Sequence, residues 1–255
     1  MPLCYTPPKL PLYNSQQKVI DYPVRRIICI GRNYADHAKE MEQKFPVDTQ
    51  PQNSLLKEAP PFFFYKPLTA LVPPCGNTPP DSGTTSPIEW RLPTYSQNVH
   101  YETEICIAIG GKLTLNNLDQ IEDLDNAIIG AGIALDMTCR DIQQTAKKGG
   151  RPWAAAKGFD YSAPCSALMA CDWESLQKTP AFLLHKNNAP VQHGNLNNMI
   201  WPIPALLAEL SRFTQLDVGD LILTGTPAGV GSVTKGDHLK AQLINTACQL
   251  ELNIV

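Results

Sequence analysis

Residues 99–109 read VHYETEICIAI, and their strict alternation is the pattern on which the fold turns. Val99, Tyr101, Thr103, Ile105, Ile107 and Ile109 share one face of an extended chain. His100, Glu102, Glu104 and Cys106 share the other, because successive strand side chains point to opposite sides. The pattern predicts one strand with an apolar face on a core. Downstream, residues 127–135 form an apolar, glycine-containing run that ends at Asp136, as a fully buried strand does. Upstream, RIICIG at 26–31 and the run at 62–66, which ends in Lys-Pro, read as two further strands.

Helices fall between these strands. Asn33 stands where it can cap a short helix carrying Ala35, His37, Ala38, Glu40 and Met41, ended by Phe45-Pro46. A second helix is expected from about 138 to 148, closed by Gly149-Gly150. After Pro202, the spacing of Ile203, Leu206, Leu207, Leu210 and Phe213 predicts a core-packed helix. Residues 181–186 and 191 onward can pair around Asn187-Asn188, and the tail holds strands near 221–224, 238–243 and 248–254. Residues 1–24 are Pro-rich and read as irregular. The rest, 25–255, reads as a single mixed α+β, β-rich domain with a few helices. Within it, residues 42–60 are polar, proline-punctuated and aperiodic, a loop or lid, and 73–98 form a second excursion anchored by Trp90.

Composition narrows the function. Of 255 residues, 21 are Lys or Arg and 24 are Asp or Glu, so the basic excess expected of a nucleic-acid binder is missing. The run at 127–135 is far below the ~20 apolar residues that cross a bilayer, so no membrane partner is expected. The opening MPLCYTPPKLPLY does not read as a signal peptide, and the eight cysteines show no C-x-x-C, so we expect free thiols and a cytoplasmic address.

Glu102 and Glu104, two apart on a strand, project to one side, and two like charges held together need a cation. With Asp136 they make a hard, all-oxygen set suited to Mg²⁺ or Mn²⁺. On spacing alone, an exposed strand face with Asp136 capping a helix is the commoner reading. His37 and Glu40 lie at i, i+3, where the carboxylate can orient the imidazole to activate a water, although a solvated helix face shows the same spacing. Lys66, Arg140 and Lys157 are cations beside apolar or glycine-rich elements, with ordinary salt bridges as their default role. GSVTKGD at 231–237 lacks the Lys-Ser/Thr of a phosphate loop and reads as a hairpin. Gly130-Ala131-Gly132 has Leu135 where a dinucleotide loop needs its third glycine.

Six ordered segments add up to more than spacing: GRNYADHAKEM (31–41), YKPLTALVPP (65–74), HYETEICIAIGG (100–111), GIALDMTCRDIQ (132–143), GRPWAAAKGFD (150–160) and LTGTPAGVG (223–231). Together they resemble the fumarylacetoacetate hydrolase family, in its small, single-domain, acylpyruvase-like branch, from about residue 25 to the end. The resemblance implies a mixed β-sheet roll like that family's C-terminal domain, a Mg²⁺ or Mn²⁺ site and a homodimer. It implies Glu102, Glu104 and Asp136 as metal ligands, His37 and Glu40 as a water-activating pair on a mobile lid helix, and Lys157 as the active-site lysine. Arg140, Gln143 and Thr226 would contact substrate, with Lys66 a further pocket residue. The loops at 42–60 and 75–96 look longer than in compact relatives, and the first 24 residues have no match.

The implied reaction is hydrolysis of the C–C bond of acylpyruvates or related 2,4-dioxo acids to pyruvate and a carboxylic acid. Oxaloacetate decarboxylation or tautomerisation, and isomerisation of the 2-hydroxyhepta-2,4-diene-1,7-dioate type, use the same enolate. A non-catalytic, metal-dependent keto-acid binder would need the carboxylates and cations but no general base.

Overall fold

The computed structural model describes residues 6–44, 61–74, 86–113, 127–178 and 181–255. Its strands, in chain order, are β1 (Lys9–Tyr13), β2 (Val19–Pro23), β3 (Arg26–Gly31), β4 (Phe62–Lys66), β5 (Leu71–Val72), β6 (Ile88–Trp90), β7 (Val99–Tyr101), β8 (Thr103–Ile109) and β9 (Ile128–Leu135). They continue with β10 (Thr138–Cys139), β11 (Ala163–Pro164), β12 (Leu168–Met169), β13 (Ala181–Lys186), β14 (Ala189–Asn195), β15 (Asp220–Leu223), β16 (Gly231–Val233), β17 (His238–Leu243) and β18 (Gln249–Ile254). Helices α1 (Ala35–Lys44), α2 (Arg140–Lys148), α3 (Ala154–Lys157), α4 (Trp173–Lys178) and α5 (Ile203–Phe213) are interspersed. No helix of the described residues is long and apolar enough to cross a membrane.

An eight-stranded mixed sheet runs β2-β1-β12-β9-β8-β15-β3-β4 and packs against a five-stranded sheet, β14-β13-β17-β18-β6. The alternation within β8 explains the packing. Ile105, Ile107 and Ile109 join Phe182, Leu184, Leu239 and Leu250 in the core between the sheets. Cys106 and Ala108 point the other way, into a second apolar cluster with Leu10, Leu12, Val24 and Leu168. Both faces of the large sheet are therefore covered, and each fully buried Ile or Leu contributes roughly 1.5–3 kcal/mol. Gly130 and Gly132 let β12 approach β9: a Cβ on Gly130 would lie 2.6 Å from Leu12 Cδ1, and one on Gly132 2.8 Å from Ser166 Oγ.

Several expectations are corrected. The stretch 99–109 is two strands, not one. The chain changes sheet at Glu102, where β7 pairs with β10 and β16 while β8 pairs with β9 and β15. The Glu102 carbonyl instead accepts the Asp136 N–H at 2.8 Å. Residues 9–13 and 19–23, read as irregular, are paired antiparallel strands of the large sheet. Pro11 is tolerated because the β12 pairing falls at Leu12 and Tyr13, beyond the residue that lacks an N–H. Segment 231–237 is no hairpin, since β16 joins β7 and β17 joins β13 and β18. Asn33 uses its side chain to clamp Trp201 and Thr224. Phe213 is exposed at the helix end, against Phe63.

The hairpin at 187–188 matches its reading, with both asparagines at positive φ, and so does the helix that follows Pro202. Trp90 is buried and donates Nε1–H to the Tyr161 carbonyl. Of the expected lid at 42–60, residues 45–60 lie outside the described residues.

Candidate active site

The change of sheet at Glu102 and the end of β9 bring the acids together. One carboxylate oxygen from each of Glu102, Glu104 and Asp136 lies within 4.8 Å of the others, and all three residues are buried. Lys157, the last residue of α3, sets Nζ 2.6 Å from Glu102 Oε2 and 2.6 Å from Asp136 Oδ2. Arg140, the first residue of α2, donates to Glu102 Oε1 and, at 2.6 Å, to Gln143 Oε1. Lys66 lies 2.8 Å from Asp136 Oδ1 and also donates to Ser162 Oγ and to the Met137 and Lys157 carbonyls. It touches the triad through Asp136 and is not among the residues that line the cleft.

The charges are unevenly matched. Burial would raise the Glu102 carboxyl, but Lys157 and Arg140 outweigh it and hold the group below the usual carboxylate range. Burial would lower Lys157, and the Asp136 and Glu102 carboxylates hold it up instead. Glu104 is pushed well up by burial and by the neighbouring Asp136 and Glu102 charges. Its Oε2 accepts the Gly225 N–H at 2.7 Å, and among the described residues no cation lies within ion-pair distance of it. A buried carboxyl facing two others without a cation of its own is the environment that a hard divalent ion relieves, so the donor set fits such an ion.

His37 lines the same cleft from α1, 6% exposed, with Nδ1 3.9 Å from Glu40 Oε2 and without a hydrogen-bond partner among the described residues. Glu40 is anchored by the Gly229 N–H at 2.9 Å. Thr226 lines the cleft with an Oγ that accepts from Gln192 Nε2 at 2.9 Å. Gln192, which the sequence reading missed, also donates to the Pro227 carbonyl and accepts the Thr103 N–H, so it ties the 223–231 loop to the start of β8. No local pattern marks Gln192, because its partners are far away along the chain. The remaining walls include Arg32, Met41, Phe62, Lys147 and Trp153, which the sequence reading placed on strands, helices or shared segments without giving them a role.

A carboxylate triad, flanking cations and a buried imidazole can hold a metal, bind an anionic substrate and move a proton. Comparison with known proteins agrees with that chemistry. The family model described as fumarylacetoacetate (FAA) hydrolase C-terminal matches residues 26–253. The chain is 37% identical over 228 residues to oxaloacetate tautomerase YcgM of Escherichia coli (strain K12), covering 89% of this chain and 92% of that protein. Its structure resembles fumarylpyruvate hydrolase from Pseudomonas aeruginosa, solved with Mn²⁺ and pyruvate, at TM-score 0.81 and 32% identity over 99% of this chain and 98% of that one. It also resembles 2-hydroxyhepta-2,4-diene-1,7-dioate isomerase from Mycobacterium marinum, at TM-score 0.67 and 28% identity over 93% and 78% of the two chains.

Proposed function

The chain belongs to the fumarylacetoacetate hydrolase family, and from that premise we propose that it hydrolyses the C3–C4 bond of acylpyruvates, giving pyruvate and a carboxylic acid. The observation that carries this reading is His37, a buried imidazole opening on the carboxylate cleft with Glu40 beside it. A Mg²⁺ or Mn²⁺ ion held by Glu102, Glu104 and Asp136 would act as a Lewis acid toward the substrate's carboxylate and 2-oxo oxygens. His37 takes a proton from water, and Glu40 stabilises the imidazolium that results. The hydroxide adds to the C4 carbonyl carbon. Collapse of that adduct breaks C3–C4 and leaves the electron pair on C3 as pyruvate enolate, which accepts the proton back. Lys157 and Arg140 offset the negative charge that develops, and Gln143 and Thr226 orient the substrate.

A second reading is favoured by the 37% identity to an oxaloacetate tautomerase. The same residues would move only the C3 proton of oxaloacetate, without adding water, and decarboxylation to the same enolate is its close variant. The proposal includes a homodimer, a reducing cytoplasmic setting and one catalytic unit over 25–255. Purified protein with Mg²⁺ or Mn²⁺ should release pyruvate and carboxylic acid in equal amounts from acylpyruvates. Loss of the enol absorbance of oxaloacetate, with no acylpyruvate cleavage, would replace hydrolysis by tautomerisation.

A further inference from the structure

We propose that Gln192 is a positioning residue for the reaction: its side-chain amide makes the Thr226 hydroxyl a hydrogen-bond donor toward the substrate and fixes the peptide between Glu102 and Glu104. The inference rests on the reading above that Thr226 contacts the substrate.

Gln192 comes from β14, an edge strand of the five-stranded sheet. The pairing of β13 with β14 slips between Leu184 and His185, so that Leu184 faces Gln192, His185 faces Pro190, and Val191 is left over. Such a bulge re-aims the side chain beside it. Gln192 is buried, and three hydrogen bonds use up its amide. Oε1 accepts the Thr103 N–H at 3.0 Å, while Nε2 donates to Thr226 Oγ at 2.9 Å and to the Pro227 carbonyl at 3.0 Å. Because a backbone N–H only donates and a carbonyl only accepts, the amide fits one way round. Thr226 Oγ therefore accepts from Gln192, and its own proton turns away from the amide. Among the described residues nothing takes that proton, and Thr226 lines the cleft. The Gly225 N–H beside it binds Glu104 Oε2 at 2.7 Å, which sets Thr226 at the triad end.

The bond to Thr103 has its own cause. β15 ends at Leu223, opposite Cys106, and the Thr224 N–H still reaches the Ile105 carbonyl at 3.1 Å. Thr103, two residues earlier on β8, points its N–H to that same edge, where among the described residues no strand continues. A buried N–H needs a partner, and Gln192 Oε1 stands in for the missing strand. The peptide held in this way joins two of the three acids. One side chain thus sets both the donor toward the substrate and the disposition of the two glutamates.

The test measures what Thr226→Val costs in three backgrounds, wild type, Gln192→Met and Gln192→Glu, each checked by melting. In the wild type, loss of the hydroxyl should raise KM for acetylpyruvate about 10-fold, with kcat within about threefold, and should weaken oxalate binding in the presence of Mn²⁺, read by calorimetry, by a similar factor. Gln192→Met leaves the hydroxyl proton undirected, and Gln192→Glu captures it on the introduced carboxylate. Either change should itself weaken oxalate binding and then hide most of the Thr226→Val effect, leaving about twofold or less. A side chain that only holds the fold together gives losses that multiply. Titration with Mn²⁺ alone reads the other half: Gln192→Met should bind the ion about 10-fold more weakly. Gln192→Glu keeps an acceptor for the Thr103 N–H, so it should bind Mn²⁺ no less tightly than the wild type, and it carries the comparison if Gln192→Met melts early. Absence of acetylpyruvate turnover would defeat the proposed hydrolysis, while oxalate and Mn²⁺ still report on Gln192. Equal costs of Thr226→Val in all three backgrounds, or wild-type Mn²⁺ affinity in Gln192→Met, would overturn the role of Gln192.

Discussion

Gly229 donates its backbone N–H to the Glu40 carboxylate at 2.9 Å, which ties α1 to the loop after β15. Gly229 has φ 97°, and a Cβ there would meet the Val191 carbonyl oxygen at 2.1 Å. Gly229→Ala should therefore cost about 1–3 kcal/mol of stability and displace Glu40 from His37. Glu40→Gln keeps an acceptor for the N–H but not the charge beside the imidazole. We expect it to melt like the wild type and to lose turnover, so thermal melts and rates on the two variants separate position from charge.

The triad's charge imbalance predicts opposite effects for two substitutions. Glu104→Gln relieves repulsion from Asp136 and Glu102, so the metal-free protein should melt at the same temperature or higher, and stabilisation by Mg²⁺ or Mn²⁺ should disappear. Lys157→Met leaves Glu102 and Asp136 without a shared partner and should destabilise the metal-free protein by about 3–5 kcal/mol. Added Mn²⁺ should restore much of that loss. Metal-dependent melting of the two variants checks both statements, and an unchanged metal response in Glu104→Gln would remove Glu104 from the ligand set.

The candidate site was more legible in the sequence than its surroundings, and the reasons are physical. Glu102 and Glu104 show themselves because strand periodicity puts them on one side, and Asp136 because it ends an apolar run. The same periodicity hid the break at Glu102: alternation continues through a change of sheet, and here both faces are buried, so polarity does not report which sheet a residue joins. The N-terminal strands were hidden by Pro11 and Pro23, residues that speak for loops unless the pairing register spares their missing N–H. Gln192 and Asn33 work through partners more than thirty residues away, which no local pattern encodes.

Asp237 gives the fold an acid-sensitive clasp. Burial would raise its carboxyl, but Lys186, the Thr234 N–H and Asn187 together hold it down at about 2, against an ordinary value of 3.8. Because the folded value is the lower one, this stabilisation is fully present above about pH 4 and is lost as pH falls through about 2. Asp237→Asn should cost about 1–3 kcal/mol at neutral pH and flatten the acid limb of the stability curve. Urea unfolding at a series of pH values reads both, and an unaltered acid limb would exclude Asp237 as a contributor.

His37 separates hydrolysis from its competitors within one cleft. If the imidazole activates water, His37→Ala should slow acylpyruvate cleavage by about 10²- to 10⁴-fold, the usual worth of a positioned base. Oxaloacetate decarboxylation needs an electron sink at the 2-oxo group but no nucleophilic water, so the same variant should lose far less of it. Oxalate would bind through a metal held by the triad and through the flanking cations, and those cations are anchored independently of α1: Lys157 on Glu102 and Asp136, Arg140 on Glu102 and Gln143. Its affinity should be nearly unchanged, which controls for a disturbed cleft. Tautomerisation supplies the third comparison, because it needs a base at C3 and would fall together with hydrolysis if His37 serves both. Equal loss of cleavage and decarboxylation with intact oxalate binding would show that His37 acts on a step common to both, and the assignment of His37 as the base for water would fail.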